Sequence, residues 1–358
     1  MGKLEQIRRQ IDELDVQLQT LINERARLAQ QVAVIKRELD DGSAFYRPER
    51  EAQILRQIQE RNKGPLSDEQ IARLFREIMS TCLSLEQPMS IAYLGPQGTF
   101  TELAAFKHFG QAINTHPLSA VDEVFREVEA GAASYGVVPI ENSTEGIVSH
   151  TLDMFVSSPL KICGEVLLRV HHHLLSNAKS LRDIKQVMAH QQALAQCREW
   201  LSANLPGVER VAVSSNAEAA KLAAKKASIA ALGSEHASEI YQVGILASNI
   251  EDEPDNTTRF LVIGDQAVPA SGDDKTSIMV AITNKSGALF DIIAPLSNYE
   301  LNMTRIESRP SRRSMWDYVF FIDLTGHADD LPVKRALRAV EKEAALLKLL
   351  GSYPTAVL

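Results

Sequence analysis

The first forty residues carry apolar side chains in an unbroken alternation of three and four: Leu4, Ile7, Ile11, Leu14, Leu18, Leu21, then Leu28, Val32, Ile35 and Leu39. A heptad stripe of that length restricts the segment to one long helix packed along another helix. Its one exception is Arg25, at the seam position between Leu21 and Leu28. A guanidinium buried where leucine belongs is strongly destabilising unless something anionic meets it. Lys36 lies eleven positions on and, at about 100° per residue, returns to nearly the same face roughly 16 Å further along the axis. Two long cations can converge there on one small anion. Arg8, seventeen residues before Arg25 and about 25 Å away along the helix, cannot reach that anion within one chain. An antiparallel partner helix would bring its Arg8 close, so the spacing suggests a helical homodimer with two shared anion sites. A plain coiled coil with one polar register-setting residue fits the rhythm equally well.

The chain has 358 residues, which implies two or three domains. A formal charge of -8 and a pI near 5.7 argue against a nucleic-acid or acidic-membrane partner, so small anions must be caught by local clusters. Cys82, Cys163 and Cys197 give neither a disulfide framework nor a zinc pattern, and a reducing cytoplasm is expected. The amino terminus is a charged amphipathic helix without a signal-type apolar region, and no apolar run reaches membrane-spanning length. Asn142-Ser-Thr and Asn256-Thr-Thr match the glycosylation pattern, which carries no meaning without a secretory signal.

Asp40-Asp41-Gly42-Ser43 reads as a break, Pro48 can start a second helix through about Arg61, and Gly64-Pro65 breaks again. Ser67 with Gln70 forms a capping box for a third helix. From Ser90 short apolar strands alternate with helices, which predicts an α/β domain with a largely parallel sheet and a last strand at 259–265. Residues 267–274 read as a linker. Beyond it the order βαββαβ is that of the ferredoxin-like split unit.

On the third helix Cys82 and Glu86 share a face at i, i+4 among apolar neighbours. Desolvation would raise the pKa of that carboxyl, and its protonated form can donate a hydrogen bond. Glu86 also reads as a solvated helix end, and Arg50 and Glu51 as a charged surface face. The elements I-R-R-Q-I-D-x-L-D, E-R-A-R-L-A with Lys36, and Y-R-P-E-R-E, in that order, resemble the helical chorismate mutase domain. The resemblance implies an intertwined dimer in which Arg8 comes from the partner chain and Arg25 holds substrate carboxylates. Lys36 would contact a carboxylate and the ether oxygen and Glu51 the ring hydroxyl, with Arg50, Cys82 and Glu86 in the same site. The implied reaction is a unimolecular rearrangement of chorismate to prephenate and needs neither nucleophile nor cofactor. Some relatives carry serine and glutamine where this chain has Cys82 and Glu86, and aspartate where it has Arg47.

The middle region opens with Gly95-Pro96-Gln97-Gly98-Thr99-Phe100-Thr101-Glu102, a strand, a glycine turn and a helix start. Thr99 and Glu102 make a second capping box, and such a helix end offers N–H groups to a carboxylate. PIENSTEG follows an apolar strand with two carboxylates, an amide and two hydroxyls, as sites on open α/β sheets do. Each segment alone also fits an ordinary turn or loop. Together GPQGTFT, VVPIEN, AHQQALAQC, AALGS and NTTRF resemble prephenate dehydratase across residues 90–265. That family implies two α/β subdomains like those of periplasmic binding proteins, with substrate between them. Its catalytic threonine corresponds to Thr258, which would protonate or orient the departing ring hydroxyl. Glu141, Asn142, Ser143, Thr99 and Gln192 would line the cleft by the same resemblance. His171-His172-His173 cannot all face one side of a strand, so His172 is expected to pack or hydrogen-bond in the sheet, with no metal.

In the last region Gly287-Ala288-Leu289 opens a helix, and Leu301-Asn302 and Glu307-Ser308-Arg309-Pro310 lie at the two ends of the next strand. These resemble the motifs of the ACT-type regulatory domain, which implies phenylalanine binding at Gly287, Ala288, Leu289, Leu301, Asn302, Glu307, Ser308 and Arg309. A ferredoxin-like dimerisation module without ligand is the alternative. The expected organisation is therefore an all-α mutase-like domain at 1–88, a two-subdomain α/β dehydratase-like domain at 89–267 and an α+β ferredoxin-like domain at 275–358. The resemblance implies feedback inhibition by phenylalanine and a homodimer or higher homo-oligomer. Arogenate in place of prephenate, or a non-catalytic amino-acid sensor, are the competing readings.

Overall fold

The computed structural model describes residues 2–39, 45–144, 146–283, 285–310 and 318–358; the expected break at 40–43 lies outside them. The apolar stripe folds into one helix, α1 (Lys3–Leu39). Its seam side chains are not covered within the chain. Leu4, Ile7, Ile11, Leu14, Leu18, Leu21, Leu28, Val32 and Ile35 are all exposed, and Arg25 is half-buried rather than enclosed. The cause is length. At 37 residues α1 runs about 55 Å, whereas α2 (Pro48–Arg61) and α3 (Asp68–Glu86) have 14 and 19 residues and cover only part of it. Pro48 opens α2 as expected, and both halves of the Ser67–Gln70 capping box are formed.

From Ser90 the chain builds β1 (Ser90–Leu94), α4 (Phe100–Phe109), β2 (Asn114–Leu118), α5 (Val121–Glu129), β3 (Tyr135–Asn142), β4 (Gly146–Ile147), α6 (Ser149–Ser157) and β5 (Lys161–Arg169). It crosses to a second lobe of β6 (His173–Leu175), β7 (Gln186–Ala189), α7 (Gln191–Gln196), α8 (Arg198–Asn204), β8 (Glu209–Ala212), α9 (Asn216–Lys225), β9 (Ile229–Gly233), α10 (Glu235–Tyr241) and β10 (Ile245–Ala247). It returns to the first lobe through β11 (Thr257–Gly264). The two sheets run β2-β1-β3-β11-β5, with β4 on β3, and β10-β6-β9-β7-β8. Neither is largely parallel. β1, β2 and β3 run together, but β11 is antiparallel to both β3 and β5. A strand returning from the other lobe enters beside the carboxyl end of β3 and must run the opposite way. For the same reason β11 starts at Thr257, two residues earlier than expected, so Thr258 lies inside the strand.

The third unit consists of β12 (Asp274–Ile282), α11 (Ala288–Asn298), β13 (Met303–Pro310), β14 (Tyr318–Thr325), α12 (Leu331–Glu343) and β15 (Leu346–Pro354). Its sheet, β13-β14-β12-β15, is antiparallel throughout, the expected ferredoxin-like arrangement. Glu307–Pro310 lies at the carboxyl end of β13 and forms its last half.

The segment 267–274 is not a free tether. Val268, Ser271 and Asp274 are buried. Arg56 of α2 donates to Ser271 Oγ (3.0 Å), the Asp273 carbonyl (2.7 Å) and Thr355 Oγ1 (3.2 Å). Val357 and Leu358 pack on Leu55, Ala72 and Met79 of the helical unit, and Tyr46 is buried against Phe109 and Tyr135 of the first lobe. The three units therefore share side chains at every boundary. Among the described residues no helix is long and apolar enough to cross a membrane.

Candidate active sites

In the helical unit, α3 lays Cys82 and Glu86 against the carboxyl-terminal half of α1. Cys82 is buried and Glu86 half-buried, beside half-buried Arg25 and Lys36. Burial raises the Glu86 pKa, and the charges of Lys36 and Arg25 only partly oppose it. Lys36 Nζ donates to the Phe45 carbonyl (3.2 Å) and lies 5.2 Å from the Phe45 ring centre. Glu51 is ion-paired with Arg76 (2.9 Å); desolvation raises its pKa against the pull of Arg76 and Arg25. Arg50 is exposed on α2, and Arg8 is exposed toward the far end of α1. One chain thus assembles Arg25, Lys36, Glu51, Cys82 and Glu86 and leaves Arg8 remote from them.

The second cluster forms where β11 starts beside the end of β3. Thr258 and Asn142 are cross-strand partners, and Asn142 Nδ2 donates to Thr258 Oγ1 (2.8 Å) and to Asn256 Oδ1 (2.8 Å). The amide orientation follows from Thr144, whose N–H and hydroxyl both donate to Asn142 Oδ1 (3.0 and 2.8 Å). Asn256 Nδ2 continues to Gln196 Oε1 (3.3 Å), which meets His172 Nε2 (2.8 Å). His172 is buried outside the strand, not within the sheet as expected; burial lowers its pKa, and its ring meets Phe100 edge-on at 5.5 Å. The other two histidines go elsewhere, His171 to Glu251 (2.7 Å) and His173 to the Asn249 N–H (3.2 Å). Ser143 Oγ accepts the Thr257 N–H (2.9 Å) and so ties the same two strand ends. Gln192 is exposed in the first turn of α7, at the carboxyl end of β7 in the second lobe. Glu141, next to Asn142, faces Arg305 of the third unit (3.3 Å).

The glycine turn differs from the expected double capping box. Thr99 Oγ1 accepts the Glu102 N–H (3.4 Å) and donates to the Leu94 carbonyl (3.2 Å). The reciprocal half is missing because the buried Glu102 carboxylate turns to Gly98 N–H (2.6 Å), Tyr93 Oη (2.8 Å) and His236 Nε2 (2.9 Å). Burial raises the Glu102 pKa, but these donors, His236 foremost, outweigh it and hold the carboxyl below its usual range. His236 belongs to α10 in the second lobe. With Tyr241 Oη on the Gln97 carbonyl (2.7 Å), it fastens the turn across the interlobe boundary. Gly98 has φ +84°, and a Cβ there would meet Tyr241 and Ala237, so both conformation and space require glycine.

In the third unit Gly287, at φ +82°, caps α11, with Ala288 buried and Leu289 partly exposed. Leu301 is half-buried and Asn302 exposed; along β13 Glu307 and Arg309 point inward and Ser308 outward. Arg309 is ion-paired with Asp153 of α6 (3.1 Å). Asn256, Gln196, His172, Glu102, His236, Arg76 and Arg305 escaped the reading of site residues. Gln196 and Asn256 stand within quoted motifs, but an amide in a loop has no periodicity to mark it. The others act across boundaries that no local pattern encodes.

A cationic cluster on packed helices, a hydroxyl–amide site between two α/β lobes and a ferredoxin-like module define a multifunctional enzyme with an appended regulatory-type domain. Family models match in the same order: chorismate mutase type II at residues 7–87, prephenate dehydratase at 91–268 and the ACT domain at 276–342. The chain is 55% identical over 360 residues to the bifunctional chorismate mutase/prephenate dehydratase of Pseudomonas aeruginosa, with 99% of each covered. It belongs to the family of bifunctional chorismate mutase/prephenate dehydratases. The solved structure of prephenate dehydratase from Arthrobacter aurescens in complex with L-Phe is similar at a TM-score of 0.69 and 35% identity, over 74% of this chain and 90% of that one. A structure described as GqqA, a novel type of quorum quenching acylase, has the same TM-score at 28% identity, over 75% of this chain and 98% of that one. The fold of the two carboxyl-terminal units therefore does not by itself fix the reaction.

Proposed function

We propose that the chain converts chorismate to prephenate at the helical site and prephenate to phenylpyruvate between the two lobes, under feedback control by phenylalanine. Bounds of 1–88, 89–267 and 275–358 separate these tasks. The observation that carries the second step is the Asn142–Thr258 hydrogen bond. Because the amide donates to Oγ1, the Thr258 hydrogen is directed away from Asn142 and can be given to the ring hydroxyl as it departs. The C–O bond breaks, water leaves, and the electrons of the breaking carboxylate bond close the aromatic ring as carbon dioxide is lost. Threonine is too weak an acid to complete the transfer early, so stabilising the departing oxygen is the larger contribution. Ser143 and Asn256 hold the strand ends that carry the pair, while Thr99 and Gln192 complete the cleft; Glu141, expected there by resemblance, instead points to Arg305 on the opposite face of the sheet, because successive strand residues alternate.

At the helical site Arg25 and Lys36 hold the substrate dianion, Glu51 takes the ring hydroxyl, and Lys36 with protonated Glu86 meets the ether oxygen. Cys82 and Arg50 complete the pocket. The missing cation is Arg8 of a second copy, whose α1 would cover the exposed seam and make the protein a homodimer with two shared sites. Phenylalanine is assigned to Gly287–Leu289, Leu301–Asn302 and Glu307–Arg309, a reading supported by the L-Phe complex of the Arthrobacter relative. Three buried, unpaired cysteines fit a cytoplasmic enzyme.

The test is chorismate conversion by the full chain, following chorismate and phenylpyruvate together, with and without phenylalanine. Phenylpyruvate formation that phenylalanine suppresses is expected. Turnover that stops at prephenate would move the second site to arogenate, and no turnover would leave an amino-acid sensor.

A further inference from the structure

Thr258 and Asn142 face one side of their sheet. Their neighbours Arg259 and Glu141, also cross-strand partners, face the other, because successive strand residues alternate. On that other side lies the ACT sheet, where Arg305 of β13 and Asp323 of β14 are cross-strand partners in turn. Strand pairing within each sheet and two ion pairs between the sheets link the four into a ring: Arg259 Nη1 donates to Asp323 Oδ2 (2.6 Å), and Arg305 Nε lies 3.3 Å from Glu141 Oε2. We propose that this ring couples the ACT domain to the dehydratase site, with Arg259–Asp323 as its fixed pivot and Arg305 as the positioning residue that moves Glu141. The proposal rests on the assignment of Thr258 and of phenylalanine made above.

Hydrogen-bond satisfaction distinguishes pivot from mover. Arg259 also donates Nε to Glu165 (2.8 Å) and Nη2 to Tyr353 Oη (2.9 Å), while Ser277 meets both Asp323 Oδ1 (2.6 Å) and Tyr353 Oη (2.7 Å). Breaking so complete a buried network is expensive, so it stays. Arg305 is different. Its side chain is only 10% exposed, yet Nε and Nη2 are buried without a hydrogen-bond partner, and its contact with Glu141 is an ion pair without hydrogen-bond alignment. A buried donor left unsatisfied gains from any rearrangement that supplies an acceptor. A small cavity lined by Arg259, Arg305, Asp323, Phe321 and Leu261 lies around it. β13 supplies the link to the effector: Leu301–Asn302 lead into it, Glu307 and Ser308 lie two and three residues beyond Arg305, and Arg309 on the same face grips Asp153. A ligand that draws β13 outward would pull Glu141, and with it the strand end that carries Asn142.

The experiment uses the full chain with Arg305→Gln and Arg305→Lys, measuring prephenate kcat and KM, mutase rate and phenylalanine response. Hydrogen exchange of peptides spanning 141–143 and 257–259 is measured alongside, with β7 as reference. For Arg305→Gln the expected result is a fall in dehydratase kcat of about tenfold with KM within about twofold, an unchanged mutase rate and a largely lost phenylalanine response. Saturating phenylalanine should alter exchange at 141–143 in the parent chain and not in Arg305→Gln, and Arg305→Lys should recover both rate and response. Parent-like kcat and phenylalanine response in Arg305→Gln would overturn the proposal, as would parallel loss of mutase activity or failure of lysine to rescue. If the parent consumes no prephenate, the dehydratase reading fails, and the exchange response to phenylalanine still judges the coupling by itself.

Discussion

At Thr258 the hydroxyl oxygen accepts from the Asn142 amide, so in the proposed dehydration the hydrogen is the working part of the side chain. Thr258→Ala should lower dehydratase kcat by about 10²- to 10³-fold, the usual scale for losing one donor to a developing negative charge. Phenylpyruvate release should show this while the mutase rate of the same sample stays constant. Asn142→Ala should act in the same direction by about tenfold, through the orientation of Thr258. Glu86 carries a pH prediction. Its pKa is raised in the folded protein, so the donor form persists above the normal carboxyl range and is lost as pH rises through the raised value. Mutase activity should fall across that rise, and Glu86→Gln, a donor at every pH, should flatten the profile. A parent profile already flat from about pH 5 to 8.5 would remove the carboxyl from the mechanism. Single residues were legible where chemistry stood out against a regular background. Arg25 interrupts an apolar rhythm, whereas Thr258, in a polar segment that also fits an ordinary loop, was marked only by resemblance to a family motif. The amide chain through Asn256 and Gln196 to His172 was not legible, because its links join residues 60 and 24 positions apart.

The elements show a similar division. The helices of the first unit were readable, down to the start of α2 at Pro48, whereas the short capped helices α9 and α10 of the second lobe were not singled out. The direction of β11 was not, since antiparallel insertion follows from the route of the chain through the second lobe. Between elements, Arg76 of α3 pairs with Glu51 and also donates to the His108 carbonyl of α4, fixing the helical unit to the first lobe. Arg76→Ala would leave a buried carboxylate unpaired, and urea unfolding should report a loss of about 3 kcal/mol. His108 is buried, and burial with the nearby Arg76 charge pushes its pKa down to about 3. Its neutral form is the folded one. That contribution to stability is whole above the unfolded histidine value of about 6.5 and is lost as pH falls from there toward the folded value. Urea midpoints should decline over that interval, and His108→Gln should remove this part of the decline.

For the whole molecule the exposed seam of α1 and the distance from Arg8 to Arg25 make a quantitative test of shared sites. Arg8→Ala and Arg25→Ala chains should each be nearly inactive as mutases. Unfolded and refolded together in equal amounts, they should recover about a quarter of parental activity: half the dimers are mixed, and each of those holds one intact site. No recovery would mean that each chain completes its own site. The order of the three units was legible because each carries its own periodicity, but their union was not. Residues 267–274, which read as a linker, are held by Arg56, and the closest ties between sheets are made by side chains such as Arg259 that look ordinary in a strand. That last feature bears on transplantation. Replacing the third unit with one that senses another amino acid would bring new residues to positions 323 and 353. Without an acid and a phenol there, Arg259 would keep only Glu165 and leave two buried donor nitrogens unmet beside Thr258. Compatibility between donor and host would then turn on side chains at the sheet boundary as much as on where the splice is made.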